Sequence, residues 1–198
     1  MSSVAPLQTK PATYADLVAL PANIKGEILD GVLHTQPRPR VPHNRATSIL
    51  GRRVGSPFED GIDGPGGWWI FIEPGIELPG SPEVAPDIAG WRRERMPELP
   101  EDGVLRLVPD WVCEVLSPSN RAYDRRTKFP FYARIGVTYL WVVDPSAHII
   151  EIKKLVDGHY SDIAAFADDD VMRAEPFEAV EIGLGPLWVG KTSPAEGR

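Results

Sequence analysis

The sequence predicts a mixed α+β (α/β) fold, a central mixed β-sheet flanked by helices. Two observations carry this. One short helical pattern, a hairpin and a second helical pattern come first, then strands, a third helix and more strands, an interleaving that suits a mixed sheet. With 21 prolines and 18 glycines in 198 residues, the elements must also be short and joined by tight turns. That length suits one domain, expected over 12–190, between a loose leader at 1–11 and a polar tail at 191–198.

Thr13 caps a helix over Tyr14–Leu20 that Pro21 stops. Glu27 to Leu33 follows as two short strands about the turn pair Asp30-Gly31. Gln36 to Pro42 holds three prolines, each lacking a donor and restraining the residue before it, so no regular structure is expected there. From His43 to Val54, Ala46, Ile49, Leu50 and Val54 recur at helical spacing, leaving His43, Arg45, Arg52 and Arg53 for other faces.

Gly61 to Gly67 is a loop, and Trp68 to Ile72 a strand of bulky and β-branched residues that Ile76–Leu78 extends past a bend. Glu83 to Trp91 reads as the next strand, with Asp87 near its middle; Arg92 to Leu107 is a charged connection. Trp111 to Leu116 is a third strand, ended by Ser117-Pro118. Asn120 to Ile135 has helical character, with Asp124 and Lys128 four apart on one face and Pro130 forcing a kink or a late start. Thr138 to Val143 is the most apolar strand, Ile149–Ile152 its antiparallel partner, and Asp157-Gly158 a further hairpin turn.

Composition narrows the function. A net charge of −7 argues against a sequence-independent DNA coat but not against an acidic metal site. The single cysteine, Cys113, sits in an apolar strand and reads as a buried small hydrophobe. No basic leader with an apolar run is present and no apolar segment approaches ~18 residues, so a cytoplasmic protein without membrane contact is expected. The tryptophans Trp68, Trp69, Trp111 and Trp141 read as core rather than as base-stacking platforms.

The chemistry is expected between Pro86 and Asp144. Asp87 is followed 27 residues later by Glu114 (114 − 87), and Lys128 stands on the next helix. Carboxylates are the ligands hard divalent cations prefer, and a nearby lysine can neutralise charge developing on a phosphate. Glu114 interrupts an apolar strand, so a buried carboxylate there needs a partner. That partner is either a cation, making a catalytic site, or Lys128, making a structural ion pair.

Pro86-Asp87, the run Pro109 to Ser119, Asp124 to Lys128 and Gly136 to Pro145, in that order and spacing, resemble the bacterial Uma family of restriction-endonuclease-like proteins, within the PD-(D/E)XK nuclease superfamily. Gly26 to Leu33 and His43 also resemble that family's N-terminal part, so the likeness spans roughly 12–155. It implies a restriction-endonuclease-like fold and hydrolysis of DNA with Mg²⁺ or Mn²⁺. Asp87 and Glu114 match the signature acids, and the Val115 backbone carbonyl would be a third metal ligand. The signature lysine should follow two residues after the second acid, where this chain has Leu116; the match is instead Lys128.

Three accessory residues stay open between functional and structural roles. Glu27 is either an extra acid or a surface hairpin residue, His43 either a site-edge group or a surface histidine, and Asp124 either a ligand or a helix cap. Arg92, Arg93 and Arg95 either touch a nucleic-acid backbone or form a solvated loop. A homodimer would suit cleavage of both strands. The alternative is a catalytically silent or partner-dependent binding module that keeps the fold.

Overall fold

The structure, a computed structural model, describes residues 10–189. Most of the expected leader, residues 1–9, and the polar tail at 191–198 lie outside the described residues.

Helix α1 (Tyr14–Val18) starts at Thr13, whose backbone N–H and hydroxyl both donate to the Asp16 carboxylate. It ends two residues earlier than the sequence pattern suggests. Strands β1 (Ile24–Leu29) and β2 (Val32–Pro37) form the expected hairpin, with Asp30 and Gly31 both at positive φ as a two-residue turn requires. The proline-rich stretch is regular at both ends, contrary to expectation. Pro37 closes β2 on an edge where no N–H is needed. Helix α2 (Val41–Phe58) begins with Pro42 in its first turn, where a missing donor costs nothing.

After β3 (Trp68–Ile72), β4 (Ile76–Leu78) does not continue it but crosses into a second sheet. The expected strand from Glu83 to Trp91 is really two, β5 (Ser81–Val84) and β6 (Ile88–Arg92). Between them Ala85-Pro86-Asp87 breaks the ladder, because Pro86 can donate no hydrogen bond. This break matters for function: it sets Asp87 at the junction of the two sheets rather than within a strand.

Strands β7 (Trp111–Val115), β8 (Tyr139–Asp144), β9 (Ile149–Val156) and β10 (His159–Ala167) complete a six-stranded sheet ordered β10-β9-β8-β7-β6-β3. Only β7 and β8 are parallel, so the chain between them must cross over, and it does so through a helix. That helix runs as α3 (Arg121–Tyr123), a π turn (Asp124–Lys128) and α4 (Phe129–Ile135), closed by Gly136 at φ 90°. A four-stranded sheet, β2-β1-β5-β4, lies beside the large one. Two short strands, β11 (Val171–Met172) and β12 (Ile182–Gly183), pair near the end of the described chain.

Side-chain alternation along β7 sends Trp111, Cys113 and Val115 to one face and Val112 and Glu114 to the other. The first face packs under α2 with Trp141, Phe177 and Trp188. The second packs against α4 and the smaller sheet through Val142, Trp91, Tyr132 and Leu29. Burial pushes the Cys113 thiol well up, as its place in the first layer requires. Trp68, Trp111 and Trp141 are core and Trp69 is half-buried. Among the described residues, no helix is long and apolar enough to cross a membrane.

Candidate active site

Glu114 belongs to the second core layer, where its neighbours are apolar, yet it is not alone there. Lys128 reaches back from the π turn and sets its Nζ 2.7 Å from Glu114 Oε1 and 3.3 Å from Glu27 Oε1. It also donates to the Ala85 carbonyl at 3.2 Å. The Tyr132 hydroxyl donates to the same Glu114 oxygen at 2.6 Å, and Tyr123 donates to Glu27 at 3.1 Å. Glu114 is 1% exposed and Lys128 2%. Glu27 is equally buried and accepts from the Ala85 N–H, so it is not a surface hairpin residue.

Asp87 sits alongside. Its Oδ2 accepts from the Val115 N–H at 2.8 Å, which ties it to β7 one residue beyond Glu114. His43 Nε2 lies 3.1 Å from the same oxygen and Lys25 Nζ 3.8 Å from Oδ1. Since an ionised carboxylate only accepts, His43 carries its proton on Nε2 in this contact. His43 is buried on the packed face of α2, four residues before Thr47 and seven before Leu50, and so is not a surface histidine.

Asp124 lies fully buried at the start of the π turn. Neither carboxylate oxygen has a hydrogen-bond partner among the described residues, so Asp124 caps nothing. An unpartnered buried carboxylate is costly unless it is protonated or meets a cation.

Electrostatics divides these acids. Burial pushes Asp87 upward, but the His43 hydrogen bond and the charges of His43, Lys128 and Lys25 outweigh it and hold the carboxyl below its usual range. Burial pushes Glu114 well up, with Lys128 opposing and Asp87, Asp124 and Glu27 adding to the rise. Burial likewise lifts Asp124 to about 7, against the pull of Lys128. Lys128 is held well above its ordinary value: burial lowers it, but Glu114 and Glu27 more than compensate. Glu114, Glu27 and Asp124 thus bring more carboxyl groups around Lys128 than its one ammonium can neutralise.

Among the described residues no three His, Cys, Asp or Glu side chains converge as a ready metal cage. A divalent cation such as Mg²⁺ does not need one, since it commonly takes one or two carboxylates and completes its shell with water and substrate phosphate. The surplus of buried carboxyls and the unpartnered Asp124 fit such an ion.

Two hollows flank the cluster. One, about 130 Å³, is lined by Glu27, Tyr123 and Ser119. The other, about 420 Å³, is lined by His43, Leu116 and Ser119 among others. The arginines Arg92, Arg93 and Arg95 serve elsewhere: Arg92 lies over Trp68, Arg93 over Trp69, and Arg95 pairs with Asp110.

Residues 11–185 match the Uma2 family, described as "Putative restriction endonuclease". The chain belongs to this family. No curated protein matches it. Among solved structures, "a putative nuclease belonging to DUF820" from Anabaena variabilis ATCC 29413 superposes with a TM-score of 0.69 at 18% identity. The match covers 90% of this chain and 98% of that one. At that identity the likeness speaks to fold, and the Uma2 chain described here has a nuclease fold.

Sequence reasoning overlooked Lys25, Tyr123 and Tyr132. Lys25 precedes Glu27 by two on one strand, and Tyr132 follows Lys128 by four on one helix, so both spacings predict a shared face.

Proposed function

We propose that this Uma2 protein is a cytoplasmic, divalent-metal-dependent endonuclease that hydrolyses DNA phosphodiester bonds. The observation that carries the reading is the convergence of Glu114, Glu27 and Lys128 beside Asp87, where two sheets meet. Asp87, Glu114 and the Val115 carbonyl would hold Mg²⁺ or Mn²⁺, with Asp124 as an added acid. Such an ion, when bound, supplies Lewis-acid polarisation of the phosphate and an acidified water.

The protein's own groups do the rest. Lys128, kept protonated by Glu114 and Glu27, offers a fixed positive charge to the phosphate oxygens as they gain charge. Asp87, held ionised by His43 and Lys25, stays ready to coordinate at neutral pH. Tyr132 and Tyr123 fix the rotamers of Glu114 and Glu27. Each copy carries one such cluster, and a homodimer is the assembly we propose, because two copies could take the two separated strands of an opened site.

The test is cleavage of supercoiled, linear and single-stranded DNA with Mg²⁺ or Mn²⁺, beside EDTA and Asp87→Ala controls. Loss of cutting in both controls is expected. Cutting by Asp87→Ala at the wild-type rate would remove Asp87 from the site.

One observation favours a second reading, a catalytically silent binding module. Lys128 is nearly inaccessible and already paired with two carboxylates. That reading expects no cleavage and no metal-dependent stabilisation.

A further inference from the structure

The cluster lies below the surface, and this bears on the kind of DNA that can reach it. Glu114, Lys128, Asp87 and Glu27 are all buried, and the two hollows beside them share Ser119 in their walls, one reaching Glu27 and the other His43. A rigid duplex carries its phosphates on a broad cylinder and cannot lower one into a narrow recess. A separated strand can, once its bases are unstacked.

The larger hollow suits such a base. It is a cleft of about 420 Å³ walled by Leu116, Pro118 and Pro145, with His43 at its inner end and Arg38 and Arg40 at its rim. Mostly apolar walls with a few placed polar groups are the usual make-up of a pocket for a flat organic group. His43 joins the cleft directly to the cluster through its contact with Asp87. Leu116 and Ser117 follow Glu114 and Val115 along the same chain, so the cleft begins where β7 ends.

Charge points the same way. Arg40 is exposed, and with Arg38 it offers positive charge at the cleft mouth in a chain whose net charge is −7. Duplex binding driven by the phosphate backbone draws on many contacts, about 6–10 in strongly salt-dependent cases. Two rim arginines match a short footprint of one strand instead.

We infer that the cleft between the Arg38–Pro42 stretch and the Leu116–Ser119 turn seats one unstacked nucleobase of a DNA strand whose adjacent phosphate enters the acidic cluster. The substrate is therefore single-stranded or locally opened DNA. This rests on the nuclease reading for the role of the phosphate, but the base subsite can be tested without turnover.

The experiment measures fluorescence anisotropy of a labelled 12-nucleotide single strand with the full chain in Ca²⁺. A single abasic position is moved along the strand, and the matching duplex is run beside it. One abasic register should weaken binding about tenfold, the loss that follows from removing one seated base. The intact single strand should bind about tenfold tighter than the duplex. Ser146→Trp, which fills the exposed side of the cleft, should erase the register dependence, and Arg40→Glu, a surface charge reversal, should weaken binding in every register, while circular dichroism stays unchanged in both. A flat abasic scan, duplex binding as tight as single-strand binding, or no binding would overturn the inference. Register-dependent binding without cleavage in Mg²⁺ or Mn²⁺ would uphold the cleft and reject the nuclease reading.

Discussion

Lys128 carries one positive charge into a space shared with Glu114, Glu27 and Asp124, and its removal should be felt by all three. Lys128→Met keeps the length of the side chain but leaves the carboxylates unpaired, which for a buried pair costs about 3–5 kcal/mol. Urea denaturation should report that loss, and adding Glu114→Gln should recover part of it, because the two residues are in contact and their effects are not additive. A double-variant loss equal to the sum of the two single losses would mean that the pair contributes little. Asp124 makes a separate prediction about pH. Its folded value of about 7 lies above the unfolded one of 3.8, so between them the native state binds more protons than the unfolded state. Stability from this group is therefore full below pH 3.8 and is lost as pH rises towards 7. Measured without metal, wild type should lose up to about 4 kcal/mol relative to Asp124→Asn across that window. Parallel pH profiles for the two proteins would assign the proton elsewhere. Asp87 acts in the opposite sense, since its lowered value adds stability that is lost only as pH falls through it.

At the scale of elements, the sequence was most informative where periodicity is strong and least where one residue breaks it. The apolar run over Trp111–Leu116 and the Asp30-Gly31 turn point directly to β7 and the first hairpin. Apolar β-branched residues on both sides of Ala85-Pro86-Asp87 made two strands look like one, because a hydrophobic pattern does not record which sheet a strand joins. The apolar pattern of α2 leaves His43 open between the site edge and the surface, and its spacing to Thr47 and Leu50 puts it on the packed face. The crossover helix shows how local chemistry positions the site. Pro130 cannot donate to Arg126, and in an α-helix its ring would press on that carbonyl. The chain avoids this by widening to a π turn, in which the Phe129 N–H donates five residues back to Asp124. Pro130→Ala should let the α register return, at no cost in melting temperature, while moving Lys128 off Glu114. Because small misplacements of reacting groups lower rates steeply, DNA cleavage should fall at least about tenfold. A variant that cuts normally would show that the π turn is incidental to Lys128.

For the whole molecule, the central question is why a fold should bury three carboxyls around one lysine at the seam of two sheets. Neither sheet needs them: the layer under α2 and the layer under α4 are each filled by apolar side chains. The acids stand instead where β1, the β5–β6 break, β7 and the crossover helix meet, so four separate elements must dock before the cluster exists. A cation bound there would therefore bind the native state and not the unfolded chain, and must stabilise the whole fold by mass action. Thermal melts should show a rise in midpoint with Mg²⁺ or Mn²⁺, reaching a free-energy gain of about 2.7 kcal/mol at a hundred times the ion's dissociation constant and growing logarithmically beyond it. Asp87→Asn should abolish that rise, whereas Arg125→Gln, which removes an exposed ion pair to Glu151 away from the cluster, should leave it intact. Because Glu114 and Asp124 hold protons more tightly in the fold than free in water, the ion must displace some of them, and the rise should be smaller at pH 5.5 than at pH 8. A pH-independent midpoint shift that survives Asp87→Asn would place the ion on the surface instead. No shift with either ion would favour the silent module, in which Lys128 does permanently what the metal would otherwise do.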